Sequence, residues 1–464
     1  MVETNHDSPT LGIDTWTADR VVALAPDPSS AKNGKGLATL NKWSNLGKEQ
    51  QIIWGECKGS GKDPYRIQVD LSEPAFRCSC PSRKFPCKHG LGLLFLMVSQ
   101  PTVLTEGTPP DWVADWIASR TKREEKQKQK LNQLEKAIDP EAQAKRAHAR
   151  LNKVKAGVQD LQMWLNDLIR QGLTSVRTES YQFWEQPAAR MVDAQAPSLA
   201  RQLREIPSII NSGTGWESRL LAKLGKLYLL LESFQRLESL PLPNQADIRN
   251  QIGWTQNQSE LITALENSST SSQSSQYLQQ DLWLVMGQQI ETEERLRVSR
   301  TWLWGKHSHR YALLLQFAHG TQAFEVNFGL GTSLEAELAF FESAYPLRAI
   351  IKSRENSSSF VSVGEIVGYE TIDLAITSYS SALVKNPWLE RFPLTLQQVI
   401  PLHRDGKWFI RDRANNLLAI DPRFERVWTI LALSGGHPVM IFGEWNDNHL
   451  YPLSIWVEGN FYSA

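Results

Sequence analysis

The chain has 464 residues, of which 41% are hydrophobic, and its 50 basic residues balance its 50 acidic residues. A chain of this length exceeds the size at which one hydrophobic core usually keeps growing, so we expect two or three globular domains. A formal net charge of zero gives no overall sign of a nucleic-acid or membrane partner, and no apolar run is long enough to span a bilayer.

The N-terminal residues Met1 to Thr10 are polar and do not resemble a signal peptide. We therefore expect a soluble cytoplasmic protein in a reducing compartment, where disulfides are not expected. The four cysteines of the chain then need another explanation.

Three of those cysteines lie beside a histidine in the pattern Cys-x-Cys-x6-Cys-x-His, formed by Cys78, Cys80, Cys87 and His89. Three thiolates and one imidazole fill the four tetrahedral positions of a structural Zn²⁺, whereas a catalytic zinc keeps one position for water. We predict a single structural zinc ion. The remaining cysteine, Cys57, is interpreted as a buried thiol rather than a fifth ligand.

The local pattern predicts how these ligands meet. Strand side chains alternate, so Cys78 and Cys80 can share one face, and the alternating segment from Tyr65 to Asp70 can pair with them. A following helix is predicted to place Cys87 and His89 at its first turn. Its apolar stripe consists of Leu91, Leu94, Phe95 and Val98.

The ligand pattern, the segment from Cys80 to His89 and the apolar helix resemble the SWIM-type zinc finger, specifically the bacterial SWIM zinc finger family. Residues 55–61 with Pro64 and Tyr65 resemble the N-terminal region of that family. The resemblance implies that Cys78, Cys80, Cys87 and His89 are the zinc ligands. It also implies a DNA-binding or protein-interaction module without catalysis, over about residues 50 to 100.

Several cations surround the ligands. Arg83 and Lys84 lie in the loop between ligand pairs, and Arg77 and Lys88 are adjacent to ligands. Three thiolates and Zn²⁺ sum to one negative charge, so these cations can compensate the site, contact a phosphate, or both. Arg83, Lys84 and Lys88 are our candidates for contact with nucleic acid or another partner.

A helical region is predicted after residue 105. Apolar residues at helical spacing from Leu151 to Leu168 and from Leu220 to Leu231 predict a helical hairpin or bundle, with breaks at Gly172 and at Pro187, Pro197 and Pro207. Residues 120–155 carry twelve basic and five acidic residues, which we interpret as a solvated helix face rather than a nucleic-acid-binding arm.

The C-terminal region is predicted to be a β-rich sandwich or barrel, because it is rich in β-branched and aromatic residues. Its tryptophans are interpreted as core residues. A helical insertion is predicted near Leu334 to Ala344. The predicted strands are Arg300–Trp304, Tyr311–Phe317, Phe324–Leu330, Lys407–Arg411, Val427–Leu433, Val439–Trp445 and Leu453–Val457.

The predicted fold is therefore a multidomain α+β chain. Its parts are residues 1–104, with the finger at about 66–100; a helical region, 105–245; a polar linker, 246–281, with the Ser/Gln tract Ser268 to Gln276; and a β-rich domain, 282–464. We expect the zinc finger to act as a module that interacts with nucleic acid or protein. We expect no membrane partner, and we identify no small-molecule substrate.

Two alternatives stay open. One is a protein adaptor that does not bind nucleic acid, and the other is an enzyme activity in the C-terminal half. Nucleophile-elbow, zinc-protease and dinucleotide-binding motifs are all absent from the sequence, so we expect no enzyme. His307 and His309 could share a strand face and bind a metal, but we favour their interpretation as an exposed polar alternation.

Overall fold

The structure is a computed structural model. It describes residues 16–25, 28–59, 61, 63–71, 75–82, 84, 86–119, 140–173, 175–258, 261–262, 277–293, 296–320, 324, 326, 328–360 and 366–464. The Ser/Gln tract and residues 120–139 of the basic segment lie outside this range, so the predictions made for them stay predictions.

The N-terminal module is an antiparallel sheet of four strands packed on helices. The strands follow one another in space as they do in the chain: β1 (Trp43–Glu49), β2 (Ile52–Cys57), β3 (Tyr65–Asp70) and β4 (Ala75–Cys78). The helices are Ala18–Ala23, Pro28–Lys35 and Lys88–Ser99. As predicted, β3 pairs with the strand that carries the first ligand, since Ile67 lies opposite Cys78.

The helix Lys88–Ser99 is the centre of this module. Every residue from His89 to Met97 is buried, so the helix is covered on all sides and not along a single stripe. The sheet packs on one side and the helices Ala18–Ala23 and Pro28–Lys35 pack on the other, which the stripe of four residues did not predict. Val98, predicted to lie in the stripe, is half-buried.

The central region is a helical bundle, as predicted. Its α-helices are Pro140–Gln171, Tyr181–Asp193, Pro197–Ile210, Trp216–Gln235 and Leu242–Ile252. The apolar positions from Val154 to Leu168 are buried against Leu220, Leu224 and Leu227, because heptad-like spacing places them on one helix face.

Two of the predicted helix breaks are wrong. Pro187 and Pro207 lie inside helices, whereas Pro197 begins one. Proline costs a helix one hydrogen bond, but burial of Pro187 in the bundle helps to offset that loss. The last helix of the bundle runs to Ile252, and the next strand begins at Leu278.

The C-terminal region is β-rich and contains both a barrel and an open sheet. The closed barrel has the order β5-β6-β7-β9-β8, and the six-stranded sheet has the order β12-β11-β10-β13-β14-β15. The barrel strands are β5 (Leu278–Glu293), β6 (Leu296–Gly305), β7 (Tyr311–His319), β8 (Thr332–Phe340) and β9 (Arg348–Phe360).

Two helices, Ile372–Lys385 and Val427–Ser434, pack on the open sheet. The sheet strands are β10 (Phe392–Arg404), β11 (Lys407–Arg411), β12 (Leu417–Ala419), β13 (Val439–Trp445), β14 (Leu450–Val457) and β15 (Asn460–Ser463).

Three predicted elements in this region are wrong. The predicted helix at Leu334 to Ala344 is mostly strand β8, and the predicted strand at Val427 to Leu433 is a helix. The described positions between Phe324 and Leu330 do not form a strand. A short apolar segment fits both the 3.6-residue period of a helix and the two-residue period of a strand, and tertiary packing decides which one forms.

The barrel and the open sheet share a core and a buried ion pair. Arg300 on β6 donates from Nε to Glu444 on β13 at 3.1 Å, and their side chains are 6% and 5% exposed. The Trp302 Nε1–H donates to the same carboxylate at 2.8 Å. A buried charge needs such partners, so this network fixes the barrel against the sheet.

The bundle also contacts the C-terminal region. The buried Asp247 of the last bundle helix accepts the Ala344 N–H through Oδ2 at 2.9 Å. Burial raises the pKa of Asp247 to about 6, and the nearby Glu342 adds to that rise. The contact therefore places a carboxyl group where its charged form is disfavoured.

This pKa predicts how stability depends on pH. A carboxyl group whose pKa is raised in the folded state stabilises that state most below its ordinary pKa, and this contribution is lost as pH rises through about 6. Asp247→Asn should therefore raise the free energy of unfolding at pH 7, by at most about 3 kcal/mol, and reduce its slope between pH 4 and 6.

Urea unfolding of the full chain across this pH range, followed by circular dichroism, measures the effect. Asp193→Asn removes an exposed carboxyl from the same bundle and is the control. If the free energy of unfolding depended on pH in the same way for wild type and Asp247→Asn, the raised pKa of Asp247 would be contradicted.

Candidate metal centre

Two adjacent elements position the four predicted ligands. Cys78 ends β4, and Cys80 follows two residues later. Ser79 continues the pairing with β3, because its N–H donates to the Arg66 carbonyl at 3.0 Å and its Oγ accepts the Arg66 N–H at 2.9 Å. Cys87 is the N-cap of the helix Lys88–Ser99, and His89 is in its first turn. The predicted positions of Cys78, Cys87 and His89 are confirmed, whereas Cys80 lies just beyond the end of the strand.

The ligand atoms converge on one point. One atom from each of Cys78, Cys80, Cys87 and His89 lies within 4.8 Å of all the others. The Cys78 Sγ and the His89 Nδ1 are 3.8 Å apart. Zinc bonds of about 2.3 Å to sulfur and about 2.0 Å to nitrogen, at the tetrahedral angle, place two such atoms about 3.6 Å apart. The donor set therefore fits a tetrahedral Zn²⁺.

Surrounding side chains hold His89 in place. Its ring packs on Tyr65 with centroids 4.7 Å apart, and both His89 and Cys87 are buried. A Cβ on Gly59 would lie 2.5 Å from the Tyr65 ring, so this glycine leaves room for the tyrosine. Tyr65 and residues 55–61 contribute to the resemblance to the SWIM zinc finger family, but the packing of Tyr65 on His89 was not predicted from the sequence.

The thiols of the site shift one another's pKa values in opposite directions. Hydrogen bonds with Cys80 and Cys87, together with burial, raise the pKa of Cys78. Hydrogen bonds from Cys78 and Cys87 lower the pKa of Cys80. Since Zn²⁺ binds thiolates, binding must displace the shared protons.

Cys57 is fully buried at the end of β2 and is not part of the four-residue cluster. Burial raises the pKa of its thiol, although the positive charges of Lys42 and Lys88 oppose that rise. The prediction of a buried thiol is confirmed. His307 and His309 lie in the turn after β6, outside any strand.

Of the three predicted partner contacts, Lys84 and Lys88 are exposed near the ligands and Arg83 lies outside the described residues. Ser82 shapes this loop, because its Oγ accepts the Lys84 N–H at 3.2 Å. Arg77 on β4 is also exposed. The described loop thus presents positive charge to solvent.

Removal of the metal should unfold the N-terminal module alone. Metal binding in such small sites supplies folding free energy, on the order of 10 kcal/mol in zinc-finger peptides. Cys78→Ser or treatment with EDTA should make residues 16–99 sensitive to protease, while the bundle and the C-terminal region stay resistant. Metal analysis should find one zinc per wild-type chain. Protection of the module after complete zinc loss would contradict a structural role.

The packing of the ligand helix gives a second prediction. A Cβ on Gly90 would lie 2.9 Å from the ring of the buried Phe76 on β4. Gly90→Ala should therefore destabilise the module by about 1 to 3 kcal/mol, even though alanine favours helix.

Gly225→Ala is the matched control, because Gly225 is also helical and no atom lies within 4 Å of a Cβ placed there. It should stabilise the bundle by about 0.5 to 1 kcal/mol. Thermal unfolding and zinc affinity of both variants test these opposite effects. Equal changes in stability for Gly90→Ala and Gly225→Ala would contradict the predicted clash with Phe76.

Two family models match the chain. The SWIM zinc finger model matches residues 65–96, and the model of the SWIM-associated four-helix bundle domain matches residues 149–252. No curated protein and no solved structure matches the chain. The first match contains all four ligands, and the second covers most of the helical bundle, whose association with the finger was not predicted from the sequence.

No helix among the described residues combines the length and the apolar character needed to span a membrane. The two matches and the converging Cys3His set confirm the predicted resemblance: the chain contains a SWIM-type zinc finger, and the four ligands of this finger are positioned to bind one zinc ion.

Proposed function

We propose that the N-terminal module binds the backbone of a nucleic acid, and that its zinc ion is structural. The observation that carries this proposal is the excess of positive charge in the segment of chain that contains the metal site. Residues 28–89 contain eleven Lys or Arg and five Asp or Glu, in a chain whose net charge is zero. Phosphate contacts by such residues supply most non-specific nucleic-acid affinity.

The geometry of the site supports a binding role. Four protein ligands complete the coordination of zinc, so no position is left for a water or substrate. The metal instead joins β4 to the helix Lys88–Ser99 and so fixes the loop between them. We propose that this loop is the binding element and that the module is not catalytic.

The positions of the cations support contact with phosphate. Lys84 and Lys88 are exposed, and so are Arg77 on β4 and Lys58 directly after β2. A zinc site with three thiolates carries one negative charge, which is smaller than the local excess of six positive charges in residues 28–89. Compensation of the metal site alone therefore does not account for these residues.

Fluorescence anisotropy with a labelled DNA duplex tests this proposal on the full chain. We expect binding at low salt, with an affinity that falls steeply as salt rises. Lys84→Ala/Lys88→Ala should weaken binding and reduce the slope of log affinity against log salt by about 1 for each phosphate that the variant no longer neutralises.

The control Arg236→Ala/Lys385→Ala removes two exposed charges from the bundle and the C-terminal region. It should leave the affinity and the slope unchanged. Absence of binding at low salt, or equal loss in both double variants, would refute the proposal and favour a protein adaptor.

A further inference from the structure

An exposed aromatic cluster lies in the C-terminal region, far along the chain from the finger. We call His403, Trp408 and Trp428 the aromatic platform. The rings of His403 and Trp408 are 4.8 Å apart, and those of Trp408 and Trp428 are 4.9 Å apart in an edge-on arrangement. Both tryptophans are expected from the sequence to be core residues, and for Trp428 this expectation is wrong.

The exposure of this cluster separates it from the other tryptophans of the region. Trp428 is 65% exposed, whereas Trp302, Trp304, Trp445 and Trp456 are buried. Trp408 is half-buried and His403 is exposed. Leaving a large aromatic side chain in water forgoes its burial energy, and such exposed clusters commonly mark binding sites.

The fold holds the platform in a fixed arrangement. His403 and Trp408 lie directly opposite each other on β10 and β11, next to the tight turn at Asp405 and Gly406. Trp428 extends from the helix Val427–Ser434, which is anchored by buried residues on its other face. Trp408 also packs against the core of the open sheet. A ligand would therefore meet rings that are already positioned.

The charges beside the platform are mainly positive. Residues 401–413 contain Arg404, Lys407, Arg411 and Arg413, against Asp405 and Asp412. Asp412 is buried and accepts the Ile372 and Asn416 N–H groups, so it does not face a ligand. Arg404 and Lys407 are exposed and form the next pair of the ladder, at the tip of the hairpin. Because side chains of successive strand residues alternate between faces, this pair lies at the edge of the platform and not on its face. The Arg404 Nε also lies 3.4 Å from the Asp405 carboxylate.

We propose that the aromatic platform stacks bases of single-stranded nucleic acid whose backbone passes over the tip of the hairpin, where Arg404 and Lys407 contact the phosphates. Aromatic rings bind bases of any sequence through their faces, and a positive rim follows the backbone. Duplex bases are stacked on one another and cannot offer a face, so the platform selects single strands. This site uses residues distinct from the finger and does not depend on binding there.

Binding of fluorescein-labelled oligothymidylate to the full chain tests the proposal. Trp428→Ala should weaken binding of the single strand about tenfold, in line with the loss of one stacked base. Trp428→Phe should retain most of the affinity, since a smaller ring still stacks. Affinity for a duplex of the same length should be the same for all three proteins.

Val384→Ala is the matched control, because Val384 is an apolar residue 85% exposed on a different helix, Ile372–Lys385. It should bind like wild type. When Trp428→Ala is added to the finger variant Lys84→Ala/Lys88→Ala, it should weaken single-strand binding by the same factor as it does in the wild-type chain. This result would separate the platform from the finger. Equal single-strand affinities for wild type and Trp428→Ala would overturn the proposal, as would Trp428-dependent binding of a proline-rich peptide without oligothymidylate binding.

Discussion

The N-terminal module depends on the convergence of four side chains on one point. Cys78 and Cys80 come from the end of β4, and Cys87 and His89 come from the start of the helix Lys88–Ser99. That helix is buried on all sides and forms the centre of the module core. Zinc therefore does more than shape a surface loop, because it joins the sheet to the helix on which the sheet packs.

The metal site could be predicted from the sequence because its information is local. All four ligands lie between Cys78 and His89, and their types and spacing specify both the metal and the strand-to-helix geometry. The bundle was predicted for a similar reason, since a helix seam repeats over many turns. The secondary structure of short segments was not predicted correctly. Val427 to Ser434 forms a helix and Thr332 to Phe340 forms a strand because of tertiary packing, which the local sequence pattern does not show.

The aromatic platform shows the same limit at the level of single residues. Trp445 lies between the polar residues Glu444 and Asn446, whereas Trp428 follows Val427, yet Trp445 is 7% exposed and Trp428 is 65% exposed. Composition predicts that tryptophan is buried on average, but only the placement of the helix Val427–Ser434 at the sheet surface decides which ring faces water. Binding surfaces made by side chains from separate elements therefore had to come from the structure.

The strand order of the barrel has a consequence for its dynamics. Strand β9 follows β8 in the chain but lies between β7 and β8, and it meets β7 in parallel through the pairs Leu313 with Arg348 and Leu314 with Ala349. It meets β8 through eight pairs, from Thr332 with Phe360 to Phe340 with Ala349. Because the β7 and β9 junction has the shortest ladder of the five, we expect local opening of the barrel to begin there, with the other four junctions intact. A barrel opened at this junction would be a curved five-stranded sheet with β7 and β9 at its edges.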